Sequence, residues 1–339
     1  MKTIHISGVR QMVVTDEAKP VAGAGEVLLK LQYVGFCGSD LNTWLGRNTM
    51  AKANVIPGHE IGATIEALGD GCPAALAVGQ TVTVNPYTNC GTCPSCRNLR
   101  ANACQHNETL GVQRDGAMRE YIALPWQKVI PVDGLAPRDA ALIEPMSVGF
   151  HAVARAQVTD NDVVLVFGCG MVGLGAVVRA ARRGATVVAV DLSPEKLALA
   201  AALGAKYGID SARENVVDRI REITGGAGAD VVIEAVGSPA TYVSAIDAVS
   251  FTGRVVCIGY AKSEIAFQTK YFVQKELDIR GSRNAMPDDF RAVIRYLRTA
   301  RAPLDRLVSG VVTPDEAPAA MEKWAAAPGQ VFRILVKWH

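Results

Sequence analysis

The sequence predicts an α/β chain in which a doubly wound parallel sheet stands beside a second, β-rich domain. Three observations carry this. The middle of the chain alternates short β-branched runs with helix-patterned segments. One such unit, residues 163–191, encloses a glycine turn between a strand-like run and a helix-like one. Ahead of it, residues 26–34 and 55–84 alternate or break at glycine and proline as strands do.

A chain of 339 residues is long for a single core, so two domains are expected. Hydrophobic residues make up 49% and charged ones 20%, a composition that buries well. A formal net charge of +2 offers no footprint for nucleic acid or an acidic membrane. No apolar run reaches transmembrane length, and residues 1–12 lack the apolar core and cleavage site of a signal peptide. Eight cysteines in this setting point to metal or free thiols before disulfides. The expectation is a cytoplasmic enzyme with neither nucleic acid nor membrane as partner.

In chain order, residues 1–35 are predicted as β structure, with 26–34 (EVLLKLQYV) alternating as a half-buried strand should. Residues 139–158 read as a helix. Strand 163–167, helix 174–183 and strand 186–190 follow, then helices 194–203 and 216–224, strand 230–234, helix 240–250 and strand 254–258. Residues 287–300 read as a helix and 330–337 as β again. The predicted organisation is discontinuous: residues 1–149 and 285–339 make one domain, and residues 150–284 a nucleotide-binding domain inserted into it.

Within residues 163–191 the motif is Gly168-Cys169-Gly170-Met171-Val172-Gly173. Gly168 permits the tight turn, Gly170 lets backbone approach a pyrophosphate, and Gly173 lets the helix lie close to the strand. Met171 and Val172 complete the turn ahead of the helix, whose N-terminal amides face the phosphates. Asp191 closes the second strand, placed to accept hydrogen bonds from the adenosine ribose hydroxyls. It would repel a 2′-phosphate, and no arginine follows it, so NAD is expected over NADP. Val236, just past the strand 230–234, sits where a loop at the sheet's carboxyl edge faces a cofactor.

Two sets of metal-binding residues stand out. Cys90, Cys93, Cys96 and Cys104 are spaced C-x2-C-x2-C-x7-C within residues 85–110. Four thiolates close around a tetrahedral zinc with no open position, which makes the site structural; an iron–sulfur centre is the alternative the spacing admits. The second set is dispersed: Cys37 in GFCGSD, His59 and Glu60 in PGHE, and Glu144 in LIEP. One thiolate, one imidazole and one or two carboxylates suit a catalytic zinc that keeps a position for water or substrate.

These motifs, in this order and spacing, resemble the zinc-dependent medium-chain alcohol dehydrogenases over essentially the whole chain. The resemblance implies a GroES-like β-rich catalytic domain joined to a Rossmann domain. It implies that Cys37, His59 and Glu60 hold a catalytic zinc, and that Glu144 either coordinates it or holds its water. Ser39 would bond the substrate hydroxyl and take its proton, and Asp40 would orient His59. Where the family commonly carries a histidine five residues after the zinc cysteine, this chain has Asn42, whose amide cannot relay a proton.

Within the family, residues 142–149 (LIEPMSVG) resemble the polyol, sorbitol-type, and sugar-acid branches, and residues 281–285 (GSRNA) the hexonate 5-dehydrogenases of the galactonate type. Arg283, with Asn284 and Glu144, gives a polar substrate site suited to a polyhydroxylated small molecule. A sorbitol-like polyol or L-threonine dehydrogenase is the alternative, and a catalytically silent NAD-binding sensor the alternative of another class. Homodimers or homotetramers are implied, with residues 254–258 expected at a sheet edge where two copies pair.

Overall fold

The computed structural model describes residues 1–299 and 303–339. It divides into two units, the first comprising Met1–Pro145, Met286–Ala300 and Leu304–His339, the second essentially Met146–Ala285. No helix among the described residues is long and apolar enough to cross a membrane.

The first unit is β-rich. Strands β1 (Lys2–Gly8) and β2 (Gln11–Asp16) form an antiparallel pair. The main sheet is built from β3 (Glu26–Phe36), β4 (Glu60–Leu68), β5 (Thr81–Val84), β6 (Tyr121–Pro125) and β7 (Val129–Pro131). β3 is its centre. It pairs antiparallel with β4 on one side and with both β6 and the C-terminal strand of the chain on the other. That arrangement explains why the tail belongs to this unit. Leu29, Leu31, Val34 and Phe36 of β3 are fully buried, each adding about 1.5–3 kcal/mol of burial. Ile61, Ala63 and Ile65 of β4 join them in one core.

The second unit is a six-stranded parallel sheet. Its strands are β8 (Val163–Phe167), β9 (Thr186–Asp191), β10 (Tyr207–Asp210), β11 (Ala229–Glu234), β12 (Val249–Cys257) and β13 (Asp278–Gly281). Their spatial order is β10-β9-β8-β11-β12-β13. The order reverses between β8 and β11, and such a reversal opens a crevice at the carboxyl ends of the strands. β8 and β9 are near-continuous apolar runs because helices cover both faces of a parallel sheet. In the first unit, β14 (Gly310–Val312) and β15 (Ile334–Lys337) complete the main sheet, β15 being the strand beside β3.

Two expectations change. Residues 254–258 are not an edge: β12 lies between β11 and β13. The edge on that side is β13, a four-residue strand (DIRG) too short and polar to announce itself by pattern. The helix placed at 174–183 begins earlier, at Met171, because Gly170 is its N-cap and the glycine turn feeds directly into it. The helix expected at 287–300 is Pro287–Thr299; Ala300 lies outside the described residues.

Candidate metal centres and nucleotide site

Local structure explains how residues 22 positions apart in sequence come together at the first centre. Cys37 follows the last residue of β3 and is the N-cap of the helix Gly38–Trp44. Glu60 opens β4, and the antiparallel register sets it opposite Gly35. A β-carbon at Gly35 would stand 2.3 Å from Glu60 Oε2, so glycine there makes room for the carboxylate. The donor atoms of Cys37, His59 and Glu60 all lie within 4.8 Å of one another. Asp40 Oδ2 accepts the Cys37 N–H at 2.7 Å and fixes this turn.

The electrostatics are those of a buried charged cluster. Burial alone would raise the Cys37 thiol, but the adjacent His59 charge and hydrogen bond, helped by Arg333, bring it down to about 7. Burial opposes a charged His59, yet Cys37, Glu144 and Asp40 together hold its pKa well above the usual imidazole range. Glu60 is fully buried, and desolvation pushes its carboxyl up despite Arg333. Arg333, just before β15, places Nε 3.0 Å from Glu60 Oε2 and donates from Nη1 to the Phe36 carbonyl.

The donor set fits a zinc ion. Among the described side chains, His59 Nδ1, Glu60 Oε1, Asp40 Oδ1 and Ser39 Oγ are buried without a hydrogen-bond partner. Buried polar atoms left in this state cost free energy unless a ligand satisfies them. Sulfur, nitrogen and oxygen donors in one largely buried cluster are the mixed set of a catalytic zinc, which keeps a coordination position open.

Other predicted residues fall in distinct places. Glu144, in the first turn of the helix Ile143–Ala156, is 4% exposed and accepts the Tyr87 phenol O–H on Oε1. It does not join the donors of the three-residue cluster. Asp40 spends Oδ2 on the Cys37 amide and makes no hydrogen bond to His59 Nδ1, which is without a partner. Arg283 and Asn284 follow β13 in the second unit, both half-buried, with Asn284 in the left-handed region at φ 54°.

Cys90, Cys93, Cys96 and Cys104 form the second centre, their sulfurs also within 4.8 Å of one another. The loop is shaped around them. Cys93 caps the single-turn helix Pro94–Arg97, while Gly91 and Leu99 take positive φ on either side. Backbone amides point at the sulfurs: Cys90 N–H to Cys104 Sγ at 3.3 Å, Cys93 N–H to Cys90 Sγ at 3.3 Å, His106 N–H to Cys104 Sγ at 3.3 Å. The Ser95 hydroxyl and the Gln105 amide hold Cys93 down at about 5, whereas burial and neighbouring thiols push Cys96 up to about 11.

In the second unit the glycine turn links β8 to the helix Met171–Ala181. Gly168 has φ 87°, a left-handed conformation that favours glycine. A β-carbon at Gly173 would stand 1.7 Å from the Gly168 carbonyl oxygen, so only glycine permits this approach of helix to turn. At Gly170 a β-carbon would meet nothing within 4 Å, which leaves the backbone open to a ligand. Asp191 ends β9, its Oδ2 accepting the Cys169 N–H at 2.7 Å and its Oδ1 the Ser193 N–H at 3.0 Å. Val236 is 50% exposed, on a loop whose Val236 and Gly237 amides are both held by Glu234 Oε1.

Three site residues escaped the sequence reading. Arg333 stands at the head of an alternating run (FRILVK) where nothing local marks its partner. Tyr87 precedes the cysteine lobe and reads as an ordinary loop aromatic. Glu234 ends a strand as many acids do; its burial among loop amides appears only once β11 is central.

Comparison with known proteins places the chain. A family model described as an alcohol dehydrogenase GroES-like domain matches residues 23–134, and one described as zinc-binding dehydrogenase matches residues 172–299. The chain belongs to the zinc-binding alcohol dehydrogenase family. It is 35% identical to the L-galactonate-5-dehydrogenase of Escherichia coli over 88% of each chain. It is 32% identical to a sorbitol dehydrogenase of Halalkalibacterium halodurans, covering 99% of this chain and 98% of that one. A solved alcohol dehydrogenase from E. coli CFT073, complexed with NADH, superposes with a TM-score of 0.91 at 28% identity over 99% of both chains. Within the family, the chain falls in the polyol and sugar-acid branch, a GroES-like domain joined to a Rossmann domain. The four-cysteine lobe is thus a zinc site and not an iron–sulfur one.

Proposed function

We propose that this zinc-dependent dehydrogenase oxidises a secondary hydroxyl of a hexonate to the ketone, with NAD as hydride acceptor. The observation that carries the reading is the clustered set of Cys37, His59 and Glu60, in which His59 Nδ1 and Glu60 Oε1 lack hydrogen-bond partners, with the equally unpartnered Ser39 hydroxyl two residues beyond Cys37. When bound there, zinc polarises an alcohol oxygen and lowers its pKa. Cys37, His59 and Glu60 hold the metal, and Arg333 balances the Glu60 charge. Ser39 Oγ receives the substrate hydroxyl and takes its proton, which leaves for solvent without a histidine at position 42. NAD⁺ bound at the glycine turn would supply the hydride acceptor, so one alcohol and one NAD⁺ would give one ketone, one NADH and one proton. Gly168, Gly170 and Gly173 with Met171 and Val172 cradle the pyrophosphate, Asp191 the adenosine ribose, and Val236 lines the loop toward the nicotinamide half.

The hexonate assignment rests on the L-galactonate relative and on Arg283, whose guanidinium suits a substrate carboxylate. The sorbitol dehydrogenase relative, matched along nearly its full length, favours a neutral polyol as the second reading. None of the eight cysteines is in a disulfide, which suits a reducing compartment and supports a cytoplasmic enzyme. The free edge of β13, with Ile279 46% exposed, supports a homodimer or homotetramer.

The test is an initial-rate screen with NAD and NADP against hexonates, hexitols, pentitols and L-threonine, with zinc measured on the same preparation. The expected result is the highest kcat/KM for a hexonate with NAD, at about two zincs per chain. Activity confined to neutral polyols removes the carboxylate role of Arg283. Zinc and NAD bound without turnover on any of these compounds overturns the hexonate and polyol readings alike.

A further inference from the structure

The loop that follows β11 is tied down by one side chain. Ala235 makes the last strand-like bond, its N–H to the Phe167 carbonyl at 3.0 Å. Beyond it the Val236 and Gly237 amides both donate to Glu234 Oε1, at 3.0 and 2.8 Å, and neither has another partner among the described residues. The Thr241 hydroxyl, in the first turn of the helix Pro239–Ala248, donates to the same oxygen at 2.8 Å. Glu234 is fully buried, and the register sets it between Phe167 of β8 and Cys257 of β12 at the carboxyl end of the sheet. The backbone makes room for it: a β-carbon at Gly259 would stand 2.7 Å from Glu234 Oε2. The same loop closes on the glycine turn, where a β-carbon at Gly168 would stand 2.8 Å from Val236 Cγ2.

We propose that Glu234 is a positioning residue for the cofactor, its carboxylate holding residues 235–238 against the glycine turn so that Val236 bounds the nicotinamide half of NAD. This rests on the reading of Val236 as facing that half, and it adds the group that keeps Val236 there. A loop that leaves a sheet has no regular partner for its amides, and here a side chain rooted in a central strand supplies one. Because the acceptor is buried, water does not compete for the bonds. Val236 itself stays 50% exposed, so the held loop presents an apolar side chain instead of burying it. A loop ordered before its ligand arrives spares binding the cost of ordering it. Starting the following helix does not require the carboxylate: Ser238 Oγ already accepts the Thr241 N–H at 3.2 Å as its cap.

The experiment titrates zinc-loaded wild type, Glu234→Ala, Glu234→Asp and Glu234→Gln with NADH and, separately, with ADP-ribose. ADP-ribose keeps the adenosine and pyrophosphate and lacks the nicotinamide. Hydrogen exchange of residues 235–238 is measured on the same proteins without ligand. In Glu234→Ala the loop amides should exchange faster, and NADH should bind about tenfold more weakly, as when the competent state falls to about a tenth of the population, with ADP-ribose unchanged. Glu234→Asp draws the acceptor back by one carbon–carbon bond, about 1.5 Å, and should move both readouts the same way, which keeps the test open if the alanine variant does not fold. Glu234→Gln keeps a carbonyl oxygen for the three donors and should bind NADH as wild type does. Unchanged NADH affinity in the alanine and aspartate variants overturns the proposal. So does an equal loss of NADH and ADP-ribose, which would make Glu234 a support of the fold alone, or a glutamine variant as weak as alanine. A wild type that binds both ligands equally refutes the placement of Val236 itself. No alcohol is present, so failure of the hexonate assignment leaves these results decisive.

Discussion

Replacing Arg333 with methionine tests the electrostatic frame of the metal centre. The Arg333 side chain is 5% exposed and its Glu60 partner fully buried, with Nε and Oε2 3.0 Å apart. Removing one member of such a pair leaves the other uncompensated, at a cost of about 3–5 kcal/mol. The Phe36 carbonyl also loses a charged donor, a bond of about 1.5–3 kcal/mol. The two losses do not simply add. Desolvation already raises the Glu60 carboxyl, so without Arg333 it takes up a proton, and that caps the penalty. The expected loss is therefore about 3–5 kcal/mol, or roughly 4–7 °C in Tm for a chain of this size. A bound zinc supplies its own positive charge to Glu60, so the loss should be larger after chelation than in the loaded protein. Scanning calorimetry of Arg333→Met, Glu60→Gln and the double variant, with and without zinc, measures it. In the zinc-free form the double variant should recover part of the loss. If Arg333→Met melts within about 2 °C of wild type in both forms, the guanidinium is not what neutralises Glu60.

Cys104 is fully buried, so Cys104→Ser should lower metal content from about two zincs per chain to about one, with a fall in Tm, while the dinucleotide turn still binds NADH by fluorescence titration. Gly173→Ala puts a β-carbon against the Gly168 carbonyl and should abolish NADH binding with both zincs retained, read by fluorescence and metal analysis. Asp191→Ala should raise KM for NAD about 10–100-fold, the loss of a charge-assisted hydrogen bond of about 1.5–3 kcal/mol, and narrow the preference over NADP. Burial raises the Cys257 thiol from 9.0 to about 11. The folded chain therefore favours the neutral thiol: its contribution is whole below about pH 9 and is lost as pH rises through about 11. Cys257→Ala should flatten the alkaline decline of Tm over that interval.

What the sequence shows depends on how far each feature reaches along the chain. The strand–turn–helix–acid unit is legible because its parts are consecutive and each has its own pattern: Val163–Phe167 apolar, Gly168 and Gly170 bracketing the turn, Asp191 closing β9. The four cysteines are legible for the same reason, all within fifteen positions. Cys37, His59 and Glu60 lie further apart, but the β3–β4 pairing that unites them follows from two apolar runs read as strands. Arg333 is different. It is 273 positions from Glu60 and is brought there only because β15 pairs with β3. Nothing in FRILVK states that pairing, and arginine is an ordinary residue for a surface strand. β13 was missed for the opposite reason, being too short for any period to show.

The two metal centres show why one ion can have two uses in a single chain. In the cysteine lobe every ligand is a thiolate, and backbone amides already point at Cys90 and Cys104. Four such ligands fill a tetrahedron, so the metal there has no position to offer and its binding energy goes into folding the loop. At the Cys37 centre the ligands are mixed and the surrounding polar atoms are left unmatched: His59 Nδ1, Ser39 Oγ, Glu60 Oε1. A centre built only for stability would satisfy them, since each costs free energy when buried alone. Their persistence is what a site looks like when part of its hydrogen bonding is reserved for a molecule that comes and goes.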